Sequence, residues 1–255
     1  MLLFLIWFNL LSQQKQVDIY YTHDFFEVDH FGYIYAVNDS EIVKFNSTGK
    51  KLYTYSNSSL GSIYSIDVSN PLRILLFYKD FNQILFLDQT LSPIGATIDL
   101  YEFSNDETEL VCSSLKGGFW IYNSNENQSF HISSKGEKLS ESILINSIYN
   151  SLSVSKIKEY NNNLYLLFDN QNILQLNQDG QFIAKIHIPK NNALAFYKNS
   201  FQYVKNKSVF AYRAHSSSDS LLYKIPDNEF KNAILISDKI YLSNEKSISI
   251  RNISF

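Results

Sequence analysis

The sequence predicts an all-β protein in which a four-stranded antiparallel meander is repeated six times around a ring. Three observations carry the prediction. Short apolar runs at 164–168, 173–176 and 181–188, with another at 155–160 before them, are cut apart by Asp169-Asn170-Gln171-Asn172 and Asn177-Gln178-Asp179-Gly180. The same grammar recurs along the chain: Ile34, Leu75, Trp120, Tyr165, Tyr203 and Tyr241 fall in corresponding strands at a spacing of roughly 38 to 45 residues, the period of four-strand repeats. The last repeat supplies only three strands, while a spare strand at 16–21 stands ahead of the first complete one. Together these describe a six-bladed β-propeller, its ring closed by an N-terminal strand in the last blade, an arrangement that leaves no blade face or apolar edge in water.

The first unit takes strands at 25–30, 33–37, 42–45 and 51–55, turned at Phe31-Gly32, Asn38-Asp39 and Asn46-Ser47-Thr48-Gly49. The second takes 63–68, 73–78, 83–87 and 94–100; Pro71 lies in its first turn, where a residue without an N–H costs no ladder bond. The third is less regular, with strands at 109–113, 119–122 and 129–132 and a fourth near Lys138. The fourth is the meander that begins at 155, and the fifth runs through 193–197, 201–204, 209–213 and 221–225. Strands at 230–236, 240–243 and 247–253 complete the chain. No helical period interrupts them. With only 8 Gly in 255 residues, Asn and Asp carry much of the turn chemistry, because they tolerate left-handed backbone and bond their own main chain.

A chain of this length with 45% hydrophobic residues buries enough surface for one stable domain, read here as residues 16–255. Aromatics make up 15%, in keeping with flat rings stacked between sheets. A formal charge of -3 excludes the broad basic surface that attracts nucleic acid. The Asn and Lys excess reads as AT-rich base composition rather than chemistry. Residues 1–15 read as a signal peptide or leader: 2–11 are apolar apart from Asn9, much shorter than the ~20 residues of a membrane span, and polar residues follow at once. The expected mature chain therefore has no membrane span and is exported, to the periplasm or the outer-membrane periphery. The single cysteine, Cys112, excludes internal disulfides and reads as a small buried hydrophobe.

Residues 67–81, with Gly32-Tyr33-Ile34-Tyr35 and residues 45–50 upstream, resemble uncharacterised secreted β-propeller proteins of Bacteroidota, and the upstream part is similar in style to WD40, NHL and PQQ repeats. The resemblance implies a periplasmic or outer-membrane-associated propeller with no established activity. Trp120 is the only Trp outside the leader, so the PQQ-type tryptophan docking pattern is absent and no cofactor is expected.

No phosphate-cradling loop, metalloprotease helix or nucleophile elbow is present; Gly117-Gly118 reads as a strand-entry turn. His23-Asp24 reads as a solvated pair, since neighbours on an extended chain point to opposite sides. Glu27, Asp29 and Asp67 lie on or near first strands, and Asp99, Glu102, Asp106, Glu107 and Glu109 crowd one link, whereas a calcium cage needs ligands from several blades. Lys79-Asp80-Phe81 projects from a turn between second and third strands, an exposed ring flanked by opposite charges. The expected partner-binding residues are Asp24, Lys79, Asp80, Phe81 and Glu102. The function expected is non-enzymatic: a monomeric scaffold or assembly accessory that binds an envelope protein. Carbohydrate or small-ligand binding is the second reading and a metal-dependent lactonase or hydrolase the third.

Overall fold

The computed structural model describes residues 16–149, 153–170, 172–188, 195–197, 200–213, 218–225 and 230–253. The expected leader, His215 and the first two residues of the strand expected at 193–197 lie outside them. The spare strand is β1 (Gln16–Tyr20). Blade 1 is β2 (Phe25–Val28), β3 (Ile34–Asn38), β4 (Glu41–Phe45) and β5 (Lys51–Ser56); blade 2 is β6 (Ser65–Asp67), β7 (Ile74–Tyr78), β8 (Gln83–Leu87) and β9 (Ile98–Asp99). Blade 3 is β10 (Leu110–Ser113), β11 (Phe119–Asn123), β12 (Gln128–Ile132) and β13 (Lys138–Glu141). Blade 4 is β14 (Val154–Tyr160), β15 (Asn163–Phe168), β16 (Asn172–Asn177) and β17 (Phe182–His187). Blade 5 is β18 (Ala195–Tyr197), β19 (Ser200–Lys205), β20 (Ser208–Arg213) and β21 (Ser218–Lys224). Blade 6 is β22 (Asn232–Ile236), β23 (Lys239–Asn244) and β24 (Ser247–Asn252), with β1 as its outer strand.

The ring is a six-bladed propeller closed as the sequence predicts. β1 pairs antiparallel with β24, Gln16 opposite Arg251 and Tyr20 opposite Ser247, so the first and last described strands share one sheet. Second strands such as Ile74–Tyr78 are buried along their whole length, because each sheet is covered on both faces by its neighbours. Outer strands such as β5 are mostly in contact with water.

Six apolar layers fill the gaps between sheets and fix their order. Val37 and Ile42 of blade 1 meet Ile66 and Leu76 of blade 2; Phe77 of blade 2 meets Phe119 of blade 3; Trp120 of blade 3 meets Leu164 of blade 4. Leu167 of blade 4 packs with Phe201 of blade 5, Val209 of blade 5 with Leu242 of blade 6, and Tyr241 of blade 6 with Ala36 of blade 1. Blade order around the axis is thus chain order, and blade 4 stands across the axis from blade 1.

The turns use the residues expected. Asp39, Asn82, Asn127, Asn161, Asn162 and Asn206 all have positive φ, the role glycine fills elsewhere. Gly118 has no substitute: at φ +87° a Cβ would lie 2.0 Å from the Ile132 carbonyl oxygen. The fourth strand of blade 2 departs from expectation. Only Ile98–Asp99 is ladder-paired, with an isolated bridge from Leu87 to Pro93, since Pro93 lacks a donor and Gly95 turns away at φ +77°. Among the described residues no helix is long and apolar enough to cross a membrane.

Candidate functional site

Each blade is entered at its inner strand and left from its outer strand. The links between blades and the turns joining second to third strands therefore share one face, called here the loop face. All five expected partner residues lie on it: Asp24 in the link before β2, Lys79, Asp80 and Phe81 in a single 3₁₀ turn between β7 and β8, and Glu102 in a 3₁₀ turn after β9. The structure joins some of them and separates others.

Asn82 does the joining. It sits in the left-handed region at φ 49°, immediately after Phe81. Its carbonyl accepts the Leu100 N–H at 2.9 Å, and its side-chain Oδ1 accepts the Thr108 N–H at 3.0 Å. The Phe81 turn, the turn carrying Tyr101 and Glu102, and the entry to blade 3 are locked together. The Lys79 ammonium reaches Glu109 Oε2 at 2.7 Å and lies 4.9 Å from the centre of the Tyr64 ring. Ser124 Oγ donates to the other oxygen of Glu109 at 3.3 Å. The sequence placed Glu109 only in an acidic run; its pairing with Lys79 across blades 2 and 3 needs the ring.

Three aromatic rings stand half out of the surface there, Tyr64, Phe81 and Tyr101, at 48%, 50% and 49% exposure. Beside them lie two polar grooves. One of about 550 Å³ is lined by Glu109, Tyr122, Ser124, Asn127, Asn146, Ser153 and Val154. The second, about 370 Å³, shares Glu109 and Ser124 and continues past Asp106 and Glu107 to Tyr101. Asp24 and Asp80 are exposed and Glu102 likewise. Asp24 accepts the Asp39 N–H at 2.8 Å and so braces a turn of blade 1. His23 is buried, its Nδ1 bonded to the Tyr21 carbonyl at 2.8 Å and its ring edge-on to Phe26; it is packed rather than solvated.

Two of the acidic residues on or near the first strands, Asp29 and Asp67, are already engaged. Asp29 accepts the N–H groups of Phe31 and Tyr33 and the Tyr35 hydroxyl. Asp67, buried, accepts the N–H of Ser69 at 2.8 Å and that of Ser113 in blade 3 at 3.0 Å. Among the described residues no group of three or more His, Cys, Asp or Glu is placed to hold a metal. Cys112 is buried, and burial pushes its thiol well above the usual range, so it stays protonated.

The inner strand β14 carries three charges that the sequence did not single out, Lys156, Lys158 and Glu159. Glu159 of β14 accepts the Trp120 indole N–H at 2.7 Å and the Leu115 N–H at 3.1 Å, tying blade 4 to blade 3. Two lysines of the same strand, Lys156 and Lys158, face Glu27 of blade 1 electrostatically. Burial raises the Glu27 carboxyl despite both lysines. Burial and then the Lys158 charge lower the Lys156 ammonium, although Glu27 favours it; by accessible surface the residue is exposed. Burial opposes the charge on Lys158, but Asp67 and then Glu27 outweigh it and raise that group.

No protein-family model matches the chain, and no curated protein matches it. Solved structures do. Virginiamycin B lyase from Staphylococcus aureus is similar at a TM-score of 0.63 and 13% identity, over 94% of this chain and 99% of that one. A protein of unknown function from Bacteroides caccae is similar at 0.54 and 13%, over 81% and 80%. The WD40 domain of Neurospora crassa Pan2 is similar at 0.56 and 10%, over 90% and 88%. At such identities the likeness is one of fold: a propeller shared by a lyase, a WD40 domain and a protein of unknown function.

Proposed function

We propose that the protein is a non-enzymatic binding propeller of the bacterial envelope, exported to the periplasm or outer-membrane periphery, that docks an envelope protein on its loop face over blades 2 to 4. The observation that carries the reading is the cluster of half-exposed rings, Tyr64, Phe81 and Tyr101, beside two polar grooves. Aromatic anchors next to satisfied polar groups are the composition of interface hot spots. The Asn82 brace and the Lys79–Glu109 pair hold these groups rigid before a partner arrives, which lowers the ordering cost of association. The polar lining of the larger groove supports carbohydrate as the second ligand class.

The test is site-specific photo-crosslinking in cells. A crosslinker at position 81 or 101 should give one discrete adduct that disappears when the other ring is replaced by alanine. Adducts at position 31 or 115, on the turns of the opposite face, with none at 81 or 101, would refute docking on the loop face. Specific signal on a glycan array without any protein adduct would replace the partner with a sugar.

A further inference from the structure

We propose that the face opposite the loop face docks on the surface of an anionic lipid bilayer, with Phe31, Leu72 and Leu115 as the residues that enter it. The three sit at the same place in successive blades, the turn from first to second strand, at 29–32 in blade 1, 70–73 in blade 2 and 114–117 in blade 3. They are 66%, 63% and 54% exposed. The matching turns of blades 4 and 6 carry only polar residues, Asn161-Asn162 and Ser237-Asp238. The apolar tips therefore form an arc on one side of the ring, and Ile94, also exposed, extends it outward in blade 2.

The backbone of these tips suits an apolar medium. The Phe31 N–H is bonded to Asp29 Oδ1 at 2.9 Å, the Leu72 N–H to Asn70 Oδ1 at 3.1 Å and the Leu115 N–H to Glu159 Oε1 at 3.1 Å. The N–H that closes each turn is bonded as well: Gly32 to the Asp29 carbonyl, Arg73 to that of Asn70 and Gly117 to that of Ser114. Each tip can leave water without stranding its own donor, the condition that a bilayer imposes on any backbone entering it.

Charge and chain path point the same way. On or next to the turns of this face in blades 1 to 3, Lys50, Lys51, Lys116 and Lys135 are exposed, and none is ion-paired among the described residues. Glu137 is the one exposed carboxylate on those turns. The loop face of the same blades has the opposite sign: it exposes Asp24, Asp39, Asp80, Glu102 and Glu107, and its lysine, Lys79, is held by Glu109. An anionic surface attracts the basic side and turns the acidic side away, within a Debye length. β1 also begins on the basic face, since Gln16 lies opposite Arg251 near the end of β24 and Val17 lies against the Gly49 turn. The segment at 2–11, apolar in sequence apart from Asn9, thus joins the ring from the side that the lipid takes. Apolar tips and a basic rim are two signals that together hold a protein on a membrane without spanning it, and they leave the loop face pointing outward, open to a partner.

The test is flotation of the whole purified protein with vesicles of phosphatidylglycerol and phosphatidylcholine, and with vesicles of phosphatidylcholine alone. Binding should favour the anionic vesicles and fall with added salt. Phe31→Ser, Leu72→Ser and Leu115→Ser combined should weaken it about a hundredfold, and Lys50→Gln with Lys116→Gln about tenfold or more; all five side chains are exposed, so the variants keep the parent's unfolding curve. Because Cys112 is buried, Leu72→Cys accepts a polarity-sensitive dye at a single place. Its emission should shift to the blue on anionic vesicles, whereas the same dye on Phe81→Cys should not respond. Undiminished binding by the triple serine variant would leave attachment to residues 2–11 and overturn the face, as would a blue shift at 81 without one at 72. Equal binding to phosphatidylcholine alone would overturn the anionic assignment. A discrete protein crosslink from position 72 in cells, without vesicle binding, would give the face to a protein in place of lipid. Phe81→Ala and Tyr101→Ala should leave vesicle binding unchanged, so this face stands or falls apart from the loop face.

Discussion

Replacing Ile19 with alanine tests ring closure directly. Ile19 is the buried residue of β1, 5% exposed, opposite Ile248. It belongs to the apolar layer that joins blades 6 and 1. Its side chain also presses on the β4–β5 turn, where a Cβ on Gly49 would come within 3.3 Å of it and 2.9 Å of Val17. Removing a buried Ile side chain costs about 2–5 kcal/mol. On an outer strand, water reaches the vacated space and the lower part of that range applies, about 2–3 kcal/mol. For a chain of this size that is a fall of about 4–12 °C in the melting midpoint. Tyr20 is the internal control: it is the next residue of the same strand, yet 85% exposed, so Tyr20→Ala should stay within about 0.5 kcal/mol. Both are read by circular dichroism during thermal and urea unfolding. If Ile19→Ala cost no more than Tyr20→Ala, the closing strand would not be docked as described.

Gln202 clamps blade 5 to blade 6, its amide giving a bond to the Leu235 carbonyl at 2.7 Å and taking one from the Leu235 N–H at 3.1 Å; Gln202→Ala orphans two buried backbone groups at about 1–3 kcal/mol each, seen as a lower urea midpoint. Gly118→Ala should abolish soluble expression, since the added carbon would overlap a backbone carbonyl oxygen. Burial makes the folded protein hold the Glu27 proton more tightly than the unfolded chain does. Stability contributed by Glu27 is therefore full below the unfolded value of about 4.3 and declines as pH rises through the raised folded value. Glu27→Gln should remove that decline and be more stable than the parent at pH 7, and a parallel decline in both proteins would refute the assignment.

The fold was legible in the sequence because a propeller is a local grammar repeated. Each blade is a meander whose hairpins are set by neighbouring residues, so apolar runs such as Ile74–Tyr78 and turns such as Asn161-Asn162 declare strand and reversal without knowledge of the rest. Ring closure was legible too, as a count of strands left over at one end and wanting at the other. The short fourth strand of blade 2 was less so, since the run at 94–100 has the right composition but Pro93 and Gly95 deny it a continuous ladder.

The site was legible only in part. Counting strands put Lys79, Phe81 and Glu102 on one face, because a turn's place in its meander fixes the end of the blade it occupies. Which charges meet was decided by the ring alone: Lys79 finds Glu109 thirty residues on, Trp120 finds Glu159 thirty-nine residues on, and Glu27 faces lysines three blades away. Strand and turn arise from short-range backbone sterics and apolar alternation, which a linear text records. Charge pairing across an axis depends on where six sheets converge, which no short stretch of the chain records.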